Sequence, residues 1–240
     1  MTQVPDQPTQ KRQRGRPSRI SREAIARAAL VIGVDQATIP AIAAHLKVDH
    51  SSLYHHVAGR NDVISIAAEL AINELDWRAP AATDWRSELI ILTDAIWALY
   101  ERHPGLAESI HQASVTPSSG IRSFAESVEK LQRKGFSLDE AVLAVDILVD
   151  MVGECFLGWW STTKPEADGR TRKERIIAIW EDEATKLPDK AEQINAMVDI
   201  MKVGARKWWE RKRDLVLAGI AVTHAQKAGD PIRLKHSASI

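Results

Sequence analysis

From Ile20 to Lys227 apolar residues return every three or four positions, and no stretch shows sustained alternation with period two. That pattern buries one stripe of a helix and offers no strand a buried face, so the expected fold is all-α. Local chemistry sets the boundaries. Ser21 is placed to cap a first helix, with Ile20 stapled onto Ile25; Ile25, Ala28, Ala29 and Ile32 face inward, and Gly33 stops it. Thr38 or Ile39 opens a second helix, with Pro40 in its first turn and Ile42, Ala43 and Leu46 inward. Asp49 caps a third, expected to run to about His56 with Leu53 and Val57 inward. Arg60 to Asp76 reads as a fourth, carrying Ile64, Ala67, Ala68, Ala71 and Leu75 on one face.

A linker containing Pro80 follows, from Arg78 to Thr83. Asp84 opens a helix through Leu89, Leu92, Ile96 and Leu99, ending near His103-Pro104, and a short helix reaches about Ala113. Ile121, Phe124, Val128 and Leu131 mark the next, closed by Gly135. Ser137-Leu138-Asp139-Glu140 is a capping box with Phe136 in the staple position; its helix runs to about Trp160. Lys164 to Arg170 is a polar loop, Arg172 to Lys186 a helix ended by Pro188, and Asp189 to Lys227 a last helical region with a break near Gly204. Gly229-Asp230-Pro231 stops it and leaves a tail.

With 45% hydrophobic and 27% charged residues, the chain can fold around a substantial core. Its net charge is zero, yet Lys11, Arg12, Arg14, Arg16, Arg19 and Arg22 share a stretch without an acid. Residues 1–19 also hold Pro5, Pro8, Gly15 and Pro17 without apolar periodicity, and are expected to be a disordered basic arm. Such an arm either seeks phosphate or only solubilises. Cys155 is the one cysteine, so no intrachain disulfide forms, which suits a reducing cytoplasm. Met1 to Gln10 is polar and lacks a signal core. Asp146, Asp150 and Glu154 interrupt the longest apolar run, Ala141 to Trp160, so no membrane span is expected. The expectation is a soluble cytoplasmic protein.

Residues 38–64 carry the strongest local signal. Two short helices join through Leu46-Lys47-Val48-Asp49 behind an apolar helix, as a helix-turn-helix requires. The third helix then offers His50, Ser51, Ser52, Tyr54 and His55, hydrogen-bonding side chains suited to base edges and phosphates. An ordinary three-helix core with a polar face is the alternative.

Thr38-Ile39-Pro40-Ala41-Ile42-Ala43-Ala44-His45-Leu46-Lys47-Val48, followed by Ser52-Leu53-Tyr54-His55-His56-Val57, resembles the DNA-binding signature of the tetracycline-repressor (TetR) family. Gly135-Phe136-Ser137-Leu138, the helix through Cys155, and Leu215-Val216-Leu217-Ala218-Gly219-Ile220 extend the resemblance loosely. Lys47 departs from the family's usual turn glycine, Pro40 is unusual, and the first helix is short. The resemblance implies a helix-turn-helix domain at residues 20–66 and a ligand-binding and dimerisation domain at 67–240. It also implies a homodimer reading successive major grooves of a near-palindromic double-stranded DNA operator. A small-molecule effector would then alter the spacing of the two recognition helices.

Carried over residue by residue, Tyr54 and His56 contact phosphates, and His50, Ser51, Ser52 and His55 approach bases or backbone. Thr38 caps the second helix and donates to phosphate, and Arg60 holds a phosphate at the start of the fourth. Arg14-Gly15-Arg16-Pro17 is similar to the minor-groove anchor of AT-hook peptides, and with Arg19 extends the DNA-contacting set. The resemblance also places the dimer contact on the Ser137–Trp160 helix and around Leu215–Ile220, Leu217 included.

All eight tryptophans follow the DNA-binding region. Most are expected to pack a core or a dimer interface. Trp97, Phe124, Phe156 and Trp159 are expected to line an effector pocket, being on helices that surround it in the family. Asp150 and Gly158 stand where the tetracycline repressors hold a histidine and a glutamate for the metal–drug complex, which speaks against that ligand; His111 lies near another of the family's ligand histidines. A solvated face is the simpler reading of Asp146, Asp150 and Glu154. His45, His50, His55 and His56 span two helices, and the adjacent pair point about 100° apart, so no metal site is expected. No cofactor is expected, and no nucleophile motif, phosphate loop or zinc signature appears. A DNA-binding dimer without an effector, and an enzyme carrying an incidental helix-turn-helix, are the two alternatives.

Overall fold

A computed structural model describes residues 20–75, 84–113 and 115–229. Among them are eleven α-helices and no strand: α1 (Arg22–Ile32), α2 (Ile39–Leu46), α3 (His50–Leu53), α4 (Arg60–Asn73), α5 (Trp85–Arg102), α6 (Leu106–Ala113), α7 (Ser118–Gln132), α8 (Leu138–Thr163), α9 (Arg172–Lys186), α10 (Ala191–Val203) and α11 (Ala205–Gly229). The basic arm, with Arg14, Arg16 and Arg19, lies outside the described residues, as do the 78–83 linker, Asp76 and the tail from 230.

The helix starts follow their caps. Ser21, Thr38, Asp49 and Asp84 each accept a backbone amide two or three residues on. Both halves of the Ser137–Glu140 capping box are present. An equivalent box at Thr171 and Glu174 opens α9; its Thr-x-x-Glu spacing was readable in the sequence. Gly33, Gly135 and Gly204 have positive φ where helices stop.

The third helix is shorter than expected. Its α-helical part ends at Leu53, and the chain reaches His56 in tight turns, with the Tyr54 amide donating to Ser51 and the His56 amide to Leu53. The Ser52 hydroxyl also donates to the Asp49 carbonyl, an i−3 bond that tightens this turn.

Three apolar clusters stack along the molecule. Ile25, Ala29, Ile42, Leu53, Val57, Val63 and Ala67 form the first, among α1 to α4. Val34, Ile64, Ala68, Ala71, Leu99 and Leu106 form the second. α4 belongs to both because Val63 and Ala67 lie on one side and Ile64, Ala68 and Ala71 on another. Its alanines let neighbouring backbones approach closely. The third joins α5, α7, α8 and α11 around Trp97, Leu148, Val152, Trp209 and Leu217. Trp97 stacks on Trp209 with centroids 6.5 Å apart and meets Phe156 edge-on at 5.2 Å. Asp94 pins α11 to α5 by accepting from Arg206 and from buried Arg213.

Leu217, expected at the dimer contact, points inward instead. It is fully buried in this core, whereas Leu215, two positions away on α11, is 76% exposed. Two helical positions turn about 200°, so the two leucines face opposite ways. Leu215, with Leu143 and Ile147 on α8, is exposed instead.

Candidate nucleic-acid interface and an apolar cavity

Lys47 makes the turn between α2 and α3. It adopts φ 55° and ψ 49°, the left-handed region, and is the one non-glycine among the described residues with positive φ. The turn keeps the geometry a glycine would favour, despite the side chain. Asp49 then caps α3, its carboxylate accepting the Ser51 amide at 2.8 Å. The Ser51 hydroxyl and amide hold the Asp49 carboxyl below its ordinary range.

His50, Ser51, Tyr54 and His55 are exposed, Ser52 and His56 are half-buried, and Leu53 and Val57 are core. The structure thus brings the expected helix-three residues to one end of the molecule, around an apolar anchor. Thr38 lies at the start of α2, its hydroxyl accepting the Ala41 amide at 3.2 Å.

A clamp that sequence reasoning missed holds this surface. Arg22 on α1 donates to the His56 carbonyl at 2.6 Å and to both oxygens of Asp62 on α4, at 2.5 and 3.0 Å. Asp62 also accepts the Ala58 amide at 2.9 Å. The Arg22 hydrogen bonds hold the Asp62 carboxyl low against the opposing effect of burial. One fork therefore ties the turn after α3 to both α1 and α4. The partners lie far apart in sequence, so no local pattern announces the pair. Arg60, the expected phosphate ligand, sits at the first position of α4. Its guanidinium faces the carbonyls of Asp35 at 3.2 Å, Ala37 at 3.4 Å and Val34 at 3.5 Å.

An apolar cavity of about 530 Å³ lies among α4, α5, α6, α7 and α8, within the range of small-molecule sites. Ile72 from α4, Ile96 and Tyr100 from α5, and Phe124 from α7 give it an apolar wall; Asp150 from α8 is its one charged side chain. Burial pushes the Tyr100 phenol up.

Phe124 and Asp150 are the two expected residues that line this cavity. Trp97 turns instead toward Trp209, and its indole donates to Glu101 at 2.7 Å. Residues 96 and 100 face the cavity, and 97 is rotated about 100° from 96. Phe156 packs between Trp97 and Tyr100, behind the wall. Trp159 faces a separate cavity, and His111 is exposed on α6. The wall is therefore aliphatic with one phenyl and one phenol; Trp97 and Trp209 are core, Trp85 and Trp160 pack against it, and Trp180 is exposed. Among the described residues no three His, Cys, Asp or Glu side chains gather as a metal site requires, and no helix is long and apolar enough to cross a membrane.

Neither a family model nor a curated protein sequence matches the chain. Solved structures do match it. ActR from Streptomyces coelicolor, in its apo form, superposes with a TM-score of 0.69 at 17% identity, covering 86% of this chain and 99% of that one. The same protein solved with actinorhodin gives 0.69, 17%, 86% and 97%. A possible TetR family transcriptional regulator from Streptomyces coelicolor A3(2) gives a TM-score of 0.70 at 19% identity, covering 85% of this chain and all 100% of its own. TetR from Acinetobacter baumannii AYE gives 0.60 at 18%, covering 86% and 100%. The chain has the fold of the TetR-family transcriptional regulators.

Proposed function

We propose that this chain is a TetR-family regulator. It binds a near-palindromic operator as a homodimer and releases it when a largely apolar molecule fills the cavity between α4 and α8. The observation that carries the reading is the path of α4. The helix begins at the Arg22–Asp62 clamp under the turn after α3 and ends with Ile72 in the cavity wall. A rigid element touching both sites can transmit a small displacement from one to the other.

In this reading His50, Ser51, Ser52 and His55 meet bases or backbone, Tyr54 and His56 meet phosphates, and Thr38 and Arg60 flank them. Arg14, Arg16 and Arg19 add minor-groove and phosphate contacts. The dimer brings two α3 surfaces to successive major grooves, roughly 34 Å apart. Exposed Leu143, Ile147 and Leu215, beside an apolar groove of about 680 Å³ between α8 and α11, suit a second copy packing as a four-helix contact. ActR, of the same fold, has been solved with actinorhodin, so this architecture accommodates a small molecule. The effector must bind the non-DNA-binding spacing more tightly, or it shifts nothing.

The test is to select fragments bound by the full chain from the host's own DNA, then titrate a labelled fragment while screening compounds for release. Specific, salt-dependent binding with at least one compound that both binds and lowers operator affinity is the expected result. Binding of all DNA alike, or ligands that never alter operator affinity, would count against it.

A further inference from the structure

A second cavity, apart from the one between α4 and α8, lies where the C-terminal end of α8 meets the α9–α10 hairpin and the start of α11. It measures about 210 Å³. Trp159, Ile176, Met197, Met201 and Trp208 wall it. Gly158, on the helix between them, contributes no side chain, and a Cβ there meets nothing within 4 Å. An apolar cavity of roughly 150 Å³ holds one benzene ring, so this one has room for a fused bicyclic ring. Thioethers on one side and indoles on the other are polarisable walls suited to an aromatic plane.

Lys173 is the one charged side chain that lines it. Lys173 Nζ lies 4.8 Å from the Trp159 ring centroid, and Lys212 Nζ lies 3.4 Å from that of Trp208. Neither ammonium has a carboxylate partner among the described residues; Lys212 reaches only the Cys155 sulfur, at 3.8 Å. Trp159 is 8% exposed, and its indole N–H has no acceptor. An unpaired ammonium on the rim of an apolar cavity suits an anionic oxygen.

The geometry points to a second ligand site here, for a small planar aromatic acid. The ring lies among Met197, Met201 and Trp159, and the carboxylate takes Lys173. A neutral aromatic leaves the ammonium as it is, and an aromatic ring bearing an alkylammonium group is repelled by it. The site touches α8, α9, α10 and α11, so its occupant pins the hairpin to the core. This site does not depend on the effector reading of the larger cavity.

The experiment is calorimetric titration of the full chain with naphthalene-2-carboxylate and with its amide. The acid is expected to bind about tenfold more tightly, the worth of one partly exposed charge-assisted hydrogen bond. Lys173→Gln should erase that preference and leave amide binding in place. Gly158→Leu should plug the cavity and abolish both, while raising the melting temperature, since leucine favours a helix interior over glycine. Ile96→Trp, which fills the larger cavity, should leave both affinities unchanged. The proposal is overturned if neither compound binds, or if acid and amide bind alike. It is also overturned if the acid survives Gly158→Leu in a folded protein, or if Ile96→Trp removes it.

Discussion

Glu69 on α4 caps the first turn of α7: its carboxylate accepts the Ser119 amide and the Ser119 hydroxyl, each at 3.0 Å. The other oxygen takes Arg122 at 3.0 Å. α7 carries Phe124 and Gly120 of the cavity wall, so the two helices that bracket the proposed effector are joined by a charged, half-buried link. Glu69→Gln keeps the shape and removes the charge. Operator affinity without effector should stay within about threefold, while the coupling between effector and operator should fall by about 1 kcal/mol. Titrating effector in the presence and absence of operator measures this. Unchanged coupling in the variant would remove Glu69 from the transmission.

The same link sets a pH dependence. Burial raises the Glu69 carboxyl, but the Ser119 and Arg122 hydrogen bonds outweigh it and leave its pKa below the ordinary 4.5. Asp62, held by Arg22, likewise lies below its ordinary 3.8. A carboxyl depressed on folding contributes stability that is present above its unfolded value and is lost as pH falls through the folded one. Stability should therefore hold from neutrality down to about pH 4.5 and decline below it as these groups protonate. Urea unfolding at stepped pH should show this decline, less steeply in Asp62→Asn and Glu69→Gln.

Lys47 offers a stabilising change. A non-glycine residue in the left-handed region costs roughly 1 kcal/mol, partly offset by the larger unfolded-state entropy of glycine. Lys47→Gly should raise stability by about 0.5 kcal/mol without altering α3. Thermal melting of the variant tests it, and a lower melting temperature would show that the lysine makes a compensating contact.

What could be read from the sequence was what depends on neighbours along the chain. The caps at Ser21, Thr38, Asp49, Asp84 and Ser137 are each decided within about four residues, and the helices began where those residues stand. What could not be read was which side of a helix meets which partner. Trp97 and Ile96 are adjacent, and only the position of α11 decides that the indole turns to Trp209 while the isoleucine faces the cavity. Leu215 and Leu217 pose the same problem on α11. The Arg22–Asp62 and Glu69–Ser119 contacts join elements remote in sequence, so no spacing rule reaches them.

Leu217 and Leu215 should therefore respond differently to a charge. Leu217→Glu places a charge in a sealed core beside Trp209 and should unfold the chain, at a cost of several kcal/mol. Leu143→Glu and Leu215→Glu alter residues that are 66% and 76% exposed in the single chain. These two should leave the monomer folded, with unchanged helicity, yet abolish association. Sedimentation at micromolar concentration separates the cases, and a fully dimeric Leu143→Glu, Leu215→Glu double variant would move the interface elsewhere.

The cavity itself can be filled from two sides with opposite expected results. Ile96 enters from α5, away from α4, so Ile96→Trp should occupy the volume without pushing the helix that carries the DNA-binding head. Operator affinity should stay near that of the parent, and effector should no longer release it. Gly120 enters from α7 and faces α4: a Cβ there meets the Ile72 Cδ1 at 3.9 Å, and nothing else within 4 Å. A single methyl would fit at that distance, but the remaining atoms of a leucine must press on Ile72 or displace it. Overpacking of this kind costs typically 1–3 kcal/mol, relieved when the neighbouring helix shifts. Gly120→Leu should therefore weaken operator binding about tenfold with no effector present, imitating the bound state. Fluorescence anisotropy of one labelled operator fragment, with and without effector, reads both variants. If both bind operator as the parent does and both still respond, the cavity is not the effector site and α4 is not its lever.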